Sequence, residues 1–574
     1  MPPIEHRHAR VAWILAGIVM LAAVLRGVGI GYGLPAVYNP DEVAILNRAL
    51  AFSSGDLNPH NFVYPTLYFY VLFAWEGLWF LVGHVAGVYA SLAAFERSFF
   101  VDPTFIYLAG RVLTVVCGVL TVVAVYRLGA RLFDRVTGLG AALILAVAPL
   151  AVRDAHYIKH DVPVTLLIVL THVVLAGLVR DPSRDRPRGW MLAGAIAGLA
   201  MSVHYYAIVL VVPMVVAALL APVTGGSRTT AVVRRVVPAG LACAAAVVLT
   251  SPFLFLDLGR ALQDVTSNHD IVMGRVTTWF GAAPFYLGWL ARDATGVVVF
   301  VLAIAGVAVA AAVDGRRALL AVTFPVAFLF FVANTFPASR YLNAVVPFVA
   351  LFAARTMAQF AAARPATRLV AGVVLALATV PAGLTSLHID RFFRQTDTRT
   401  LALRWIERDV PSGTSVLVQP YSVPLRPSRA ALVEALTTNL GSPERASVKF
   451  RRELALDPYP QPAYRTIYLG TGGLDADKIY VDPAAFDARN GLEPLRRLGV
   501  TYVVMKRYND DDSNVSALET ALAHEARLAA TFSPYRSDTA TDRSTVPPFL
   551  HNTDARIDPA LERPGPTIEI WRIF

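Results

Sequence analysis

Charge is scarce in this chain. Of its 574 residues only 16% are charged and 56% are hydrophobic, with a mean hydropathy of +0.53. A soluble protein of this size carries about 25% charged residues. Apolar runs long enough to cross a bilayer, about 20 residues each, recur through the first two thirds, so the expected fold class is a polytopic α-helical membrane protein. Cysteine is nearly absent. Cys117 and Cys243 both sit inside apolar runs, which excludes a disulfide scaffold and a thiolate metal centre. Lysine is rare as well: only four of the 51 basic residues are lysine, and Lys159 is the only one before Lys449. No Gly-rich phosphate loop, Walker motif or HExxH pattern is found, which argues against a soluble nucleotide as substrate. No small-residue cleavage site follows the first apolar run, so that run is read as a retained span. Short-period repeats and low-complexity tracts are missing too.

What is present is an alternation of apolar runs and short basic loops. Spans are expected at roughly 11–30, 104–126, 137–152, 162–179, 189–205, 207–221, 235–252, 287–312, 317–334, 341–360 and 367–387. Between them fall Arg127/Arg131/Arg135, Arg180/Arg184/Arg186/Arg188, Arg228/Arg234/Arg235, Arg316/Arg317 and Arg364/Arg368. The positive-inside rule makes these loops cytoplasmic, along with the N-terminus, and turns the other loops outward. The net charge of +10 therefore reports orientation rather than a nucleic-acid partner. The location implied is a bacterial-type cytoplasmic (inner) membrane. Residues 65–89 are long enough to span, yet a lone crossing there would invert the charge rule for every later loop. They carry many aromatics with Glu76 and His84, and are read as a juxtamembrane helix of the first outward loop; the alternative is 13 spans. After residue 387 the composition turns polar. A helix at about 397–409, strands at 415–419, 498–508 and 567–574, and a helix over 516–532 predict a C-terminal α/β domain, 390–574. An odd number of spans places it on the outward face. The membrane domain is then 1–389, with residues 31–103 as its first outward loop.

Outward loops hold most of the acids, histidines and tyrosines of the membrane half. Asp41, Glu42, His60 and Tyr64 lie in the first, "RDAHYIKHD" (153–161) in the second, His204, Tyr205 and Tyr206 in the third, and "SRYLN" (339–343) in the fifth. Ionisable groups at membrane depth cost several kcal/mol unless paired or used, which makes the clustering a site expectation. Asn39-Pro40-Asp41-Glu42 has the pattern of a helix start, with Asn as cap, Pro in the first turn and an acid able to reach back. Capping accounts for Glu42 as well as function does. It accounts for Asp41 less well, and a carboxylate there is placed to act as general base for an incoming hydroxyl. Asp154, His156 and Asp161 offer carboxylate and imidazole ligands of a kind that suits Mn²⁺, Mg²⁺ or Zn²⁺; Asp161 as a helix cap before Pro163 is the plainer reading.

The stretch "NPDEVAILNRALAFSSGDLNPHNFVYPTLYFY" resembles the first extracytoplasmic loop of GT-C superfamily glycosyltransferases, in particular the protein O-mannosyltransferase and lipid A aminoarabinose transferase branches. The shared features are the acidic pair Asp41-Glu42, the Gly55-Asp56 turn and the Tyr64-Pro65 step. Asp161-Val162-Pro163, "SPFLFLD" (251–257) and "SRYLNAVVPFVAL" (339–351) add to the likeness. The resemblance implies inverting transfer of a sugar from a polyprenyl-phosphate donor to a hydroxyl of a glycan, lipid or protein, on the outer side of the membrane. It implies Asp41 as base, with Glu42 beside it in the catalytic pair. The leaving phosphate must meet cations, for which Lys159 and Arg340 are the candidates. His60, Tyr64 and Tyr341 are candidate donor contacts, and His204 and Tyr205 candidate pocket walls. Some GT-C enzymes hold a metal between acids of the first two outward loops, so a divalent cation stays open. The competing functional reading is a transporter or lipid flippase, which would place its charges nearer the midplane and show paired halves.

Overall fold

The computed structural model describes residues 4–574 except 224–226, 275–277, 474, 488–489, 509–514, 537–545 and 551–555. In chain order the membrane half comprises α1 (Ile4–Gly27), α2 (Pro40–Ala51), α3 (Leu67–Val85), α4 (Leu92–Val101), α5 (Thr104–Leu132), α6 (Arg135–Ala146), α7 (Pro149–Asp154), α8 (Asp161–Arg180), α9 (Pro187–Val203), α10 (Val211–Leu220) and α11 (Arg228–Thr250). It continues through α12 (Phe253–Leu256), α13 (Leu258–Met273), α14 (Ala283–Trp289), α15 (Val297–Val332), α16 (Val346–Ala363) and α17 (Pro365–Phe393). Among the described residues, eight helices are long and apolar enough to cross a membrane: α1, α3, α5, α8, α11, α15, α16 and α17. Each of the eleven expected spans coincides with helix. Two of them, 287–312 and 317–334, fall largely on α15, which breaks at Asp314 (φ −152°, ψ 87°). Others are short because the chain breaks them. Pro149 at the start of α7 has no N–H to offer Leu145, so Arg26 donates instead to Leu145 O (3.0 Å) and Ala146 O (2.9 Å). A buried arginine thus satisfies carbonyls that lipid could not.

Small residues let these helices close up. A Cβ at Gly194 or Gly198 of α9 would strike the backbone of α11 at Ala239 and Cys243, the close approach expected where apolar burial alone drives nothing in lipid. α3 runs alongside the first turns of α5: Tyr68 lies by Thr114, Leu72 by Gly110, and Trp75 Nε1 donates to Ala109 O (2.7 Å). The contacts step back along α5 as α3 advances, so α3 leaves α5 at its amino end and packs Phe80 onto Phe95 of α4. Glu76, expected to be interfacial, is packed inside the protein and only 1% exposed.

α17 runs past residue 389 to Phe393 before α18 (Thr398–Asp409) opens the C-terminal domain. That domain holds one sheet in the order β3-β2-β1-β4-β6-β5, with β1 (Ser415–Val418), β2 (Arg465–Leu469), β3 (Ile479–Val481), β4 (Val500–Arg507), β5 (Ala526–Phe532) and β6 (Thr567–Ile573). The first four strands are parallel; β6 runs antiparallel to β4 and to β5. The expected helix over 516–532 is helical only to Glu525 and continues as β5. Its Ala, Leu and Arg content favours helix, but pairing with β6 decides the outcome. β2 and β3 escaped the sequence reading. The domain docks on the first loop: Arg97 Nη1 donates to Asp457 O (3.0 Å), Arg452 pairs with Glu96 (2.9 Å), and Arg426 Nη2 donates to Val101 O (3.1 Å).

Candidate functional site

The first turn of α2 carries the acidic pair. Asn39 caps the helix, its side chain accepting from Asp41 N at 3.1 Å, and Pro40 fills the first helical position. Helix geometry turns consecutive side chains about 100° apart, and the two acids diverge accordingly. Asp41 Oδ2 lies 2.8 Å from Lys159 Nζ; the aspartate side chain is 41% exposed and the lysine 4%. Glu42 is fully buried and accepts from Arg111 Nε and Nη2 at 2.9 Å each, and from Ile158 N at 2.9 Å. Glu42 therefore neither reaches back to the cap nor shares Asp41's opening. It ties the first loop to α5 and to the second loop, and its place in a catalytic pair is corrected to a structural knot.

Around Asp41 and Lys159 gather residues from four segments that join the helices. Arg340, in the turn Ser339–Ala344, has its Nε 3.9 Å from Asp161 Oδ2 and its guanidinium 5.3 Å from the Tyr341 ring centre. That turn is held from the second loop. Arg153, itself paired with Asp154 (2.9 Å), donates to Ser339 Oγ (3.0 Å), and Asn343 Nδ2 donates to Asp154 Oδ2 (2.6 Å) and Arg340 O (2.9 Å). Tyr64 stacks on His160 with ring centres 4.1 Å apart, and His204 meets Tyr64 edge-on at 5.3 Å. Burial, followed by repulsion from Arg340, pulls the Lys159 pKa below its usual value, while Asp41 pulls it back up. Burial also lowers the His160 pKa to about 3, with Arg48 the next cause, so this imidazole is neutral at pH 7.

Of the expected site residues, the structure brings together Asp41, Lys159, Asp161, Arg340, Tyr64, Tyr341 and His204. Others lie elsewhere. His60 sits on an exposed turn with its Nε2 2.7 Å from Asp56 Oδ2. Tyr205 donates its hydroxyl to Phe62 O (2.9 Å), joining the third loop to the first. The idea of a divalent cation between Asp154, His156 and Asp161 is corrected. Asp154 faces Arg153 and Asn343, while His156 is held by Val152 O (2.9 Å) and Val28 O (2.7 Å). Among the described residues no group of three or more His, Cys, Asp or Glu is placed to hold a metal. The sequence reading missed Arg48, which senses Asp41 and Tyr64. Arg48 stands two helical turns after Asp41, on the same face of α2, and that spacing was the available signal. Arg111 carried none, since an arginine inside an apolar run names no partner.

Residues 104–256 match the family model described as dolichyl-phosphate-mannose-protein mannosyltransferase. No curated protein matches the sequence. Among solved structures, the chain is similar to ArnT from Cupriavidus metallidurans bound to undecaprenyl phosphate. The identity there is 15%, over 91% of this chain and 96% of that one, with a TM-score of 0.52. It is also similar to the apo Archaeoglobus fulgidus oligosaccharyltransferase, at 10% identity over 98% and 88% of the two chains and a TM-score of 0.50. The matched segment and the architecture of the whole chain bear out the resemblance drawn from residues 39–70: this polytopic membrane protein has the fold of the GT-C superfamily.

Proposed function

We propose that the protein is an integral-membrane inverting glycosyltransferase that moves a sugar from a polyprenyl-phosphate donor to an acceptor hydroxyl on the extracytoplasmic side. The observation that carries this reading is the partly exposed Asp41 carboxylate set beside a buried Lys159, with Arg340 and Arg48 close by. Asp41 accepts the acceptor's hydroxyl proton, the oxygen attacks the anomeric carbon, and the bond from that carbon to the phosphate oxygen breaks. Polyprenyl phosphate leaves with the electron pair, and Lys159, Arg340 and Arg48 meet its charge. A single base suffices, because the phosphate needs no acid to depart, unlike the two-carboxylate arrangement of hydrolases. A lipid-borne donor agrees with the missing nucleotide motifs and with undecaprenyl phosphate bound in ArnT.

The test uses full-length protein in liposomes, given a panel of undecaprenyl-phosphate-linked hexoses and pentoses with cell-envelope extract as acceptor mixture. Release of undecaprenyl phosphate coupled to a new glycosidic product is the expected result. Movement of intact donor across the bilayer without product would replace this reading with that of a flippase.

A further inference from the structure

The soluble domain reaches to within three residues of the candidate base. Tyr38 Oη and Thr400 Oγ1 of α18 share a hydrogen bond of 2.7 Å. The Arg399 guanidinium lies 3.8 Å from the Tyr38 ring centre. Arg399 is itself fixed in a fork, Nε donating to Asp397 Oδ1 (2.9 Å) and Nη2 to Asp397 Oδ2 (2.7 Å). Tyr32 donates its hydroxyl to Asp397 Oδ2 at 3.3 Å. From the other side, the segment leading into β6 grips the same turn: Thr398 Oγ1 donates to Pro566 O (2.6 Å) and Thr398 N to Pro564 O (2.9 Å). A Cβ at Gly565 would collide with Thr398 and Asp397, so the approach needs a glycine there, and its φ of +98° suits one. Tyr32, Tyr38, Asp397, Arg399 and Thr400 are all buried.

We infer that this clamp makes the soluble domain a positioning element for Asp41, an inference resting on Asp41 as the base. The path is short and stiff. Tyr38 leads into Asn39, which is 1% exposed and caps α2, then into Pro40 with its fixed φ, then Asp41. Holding the Tyr38 ring therefore sets the direction in which α2 starts and where the Asp41 carboxylate points. A second tie leads to the same place. Arg111, the partner of Glu42, donates Nη1 to Ile30 O and Tyr32 O at 2.7 Å each. Docking alone does not call for this. The contacts at Arg97, Arg452 and Arg426 already join the domain to α4, and the Arg97 and Arg452 contacts lie at the surface. A buried Arg–Asp fork carries a desolvation penalty that such contacts avoid.

The test uses full-length Tyr38→Phe, Thr400→Val, their double variant, Thr400→Ser and Arg426→Ala, with undecaprenyl-phosphate-linked donor and envelope acceptor as probes. Tyr38→Phe keeps the ring under Arg399 and removes only the hydroxyl. Each of the first two is expected to lower kcat by about three- to tenfold, the scale of one lost hydrogen bond, to move the acid limb of the kcat–pH profile, and to leave donor KM near wild type. Because both remove one bond, the double variant falls no further than the worse single one. Thr400→Ser recovers the rate, and Arg426→Ala stays close to wild type. Wild-type kcat and acid limb in both single variants, independent multiplication in the double, or an equal loss in Arg426→Ala would each overturn the clamp. Asp41→Asn is run alongside. If it turns over normally the enzymatic reading fails, whereas an inactive Asp41→Asn with unaffected clamp variants removes the clamp alone.

Discussion

Two carboxylates joined by one peptide bond occupy opposite surroundings. Asp41 opens to solvent beside Lys159, while Glu42 is sealed off with both oxygens gripped by one arginine. The contrast separates two jobs that the letters of the acidic pair do not distinguish. A group that must accept a proton from a substrate has to be reachable and weakly held. A group that holds loops together is best buried and fully bonded. One turn of helix serves both needs by pointing neighbours apart.

Substitutions that exchange these surroundings test the contrast. Glu42→Ala leaves Arg111 buried without its countercharge, which costs about 3–5 kcal/mol; loss of monodisperse, folded protein in detergent is the expected outcome, and a normal melting temperature would show that the knot is dispensable. Lys159→Met removes the cation beside Asp41 without emptying the fold. Donor affinity should drop roughly tenfold or more, read by binding of an undecaprenyl-phosphate-linked sugar, with the melting temperature little changed. His160 stays neutral in the folded protein, with a pKa of about 3 against the usual 6.5, while the unfolded chain takes up its proton below 6.5. The unfolded state thus binds more protons, and stability falls as pH drops through that window, by about 2 kcal/mol between pH 7 and pH 5. His160→Phe keeps an aromatic ring against Tyr64 and should flatten the acid side of a melting-temperature profile. The smallest effect belongs to His60→Ala, whose ring faces Asp56 at the surface; turnover should match wild type, and a large loss would return His60 to the donor site.

Local signals account for what could be read in advance. Asn39 and Pro40 mark a helix start from sequence alone, and the structure shows that cap closed on Asp41. Lys159 stood out through the rarity of lysine. What stayed hidden depends on distance in sequence. Arg111 lies 69 residues from Glu42, inside an apolar run where nothing names its partner. The Asp154-x-His156 spacing suggested shared ligands, but a helix end sends the two side chains toward Asn343 and Val28. In the soluble domain, β5 carries helix-forming residues and becomes a strand only because β6 arrives from more than thirty residues later.

Transfer by this protein depends on the reachable aspartate. Asp41→Asn keeps the size and the cap while removing the basic oxygen. With an undecaprenyl-phosphate-linked sugar, the variant should bind donor as wild type does while product formation falls by about 100-fold or more. Wild-type turnover in a properly folded Asp41→Asn protein would contradict it.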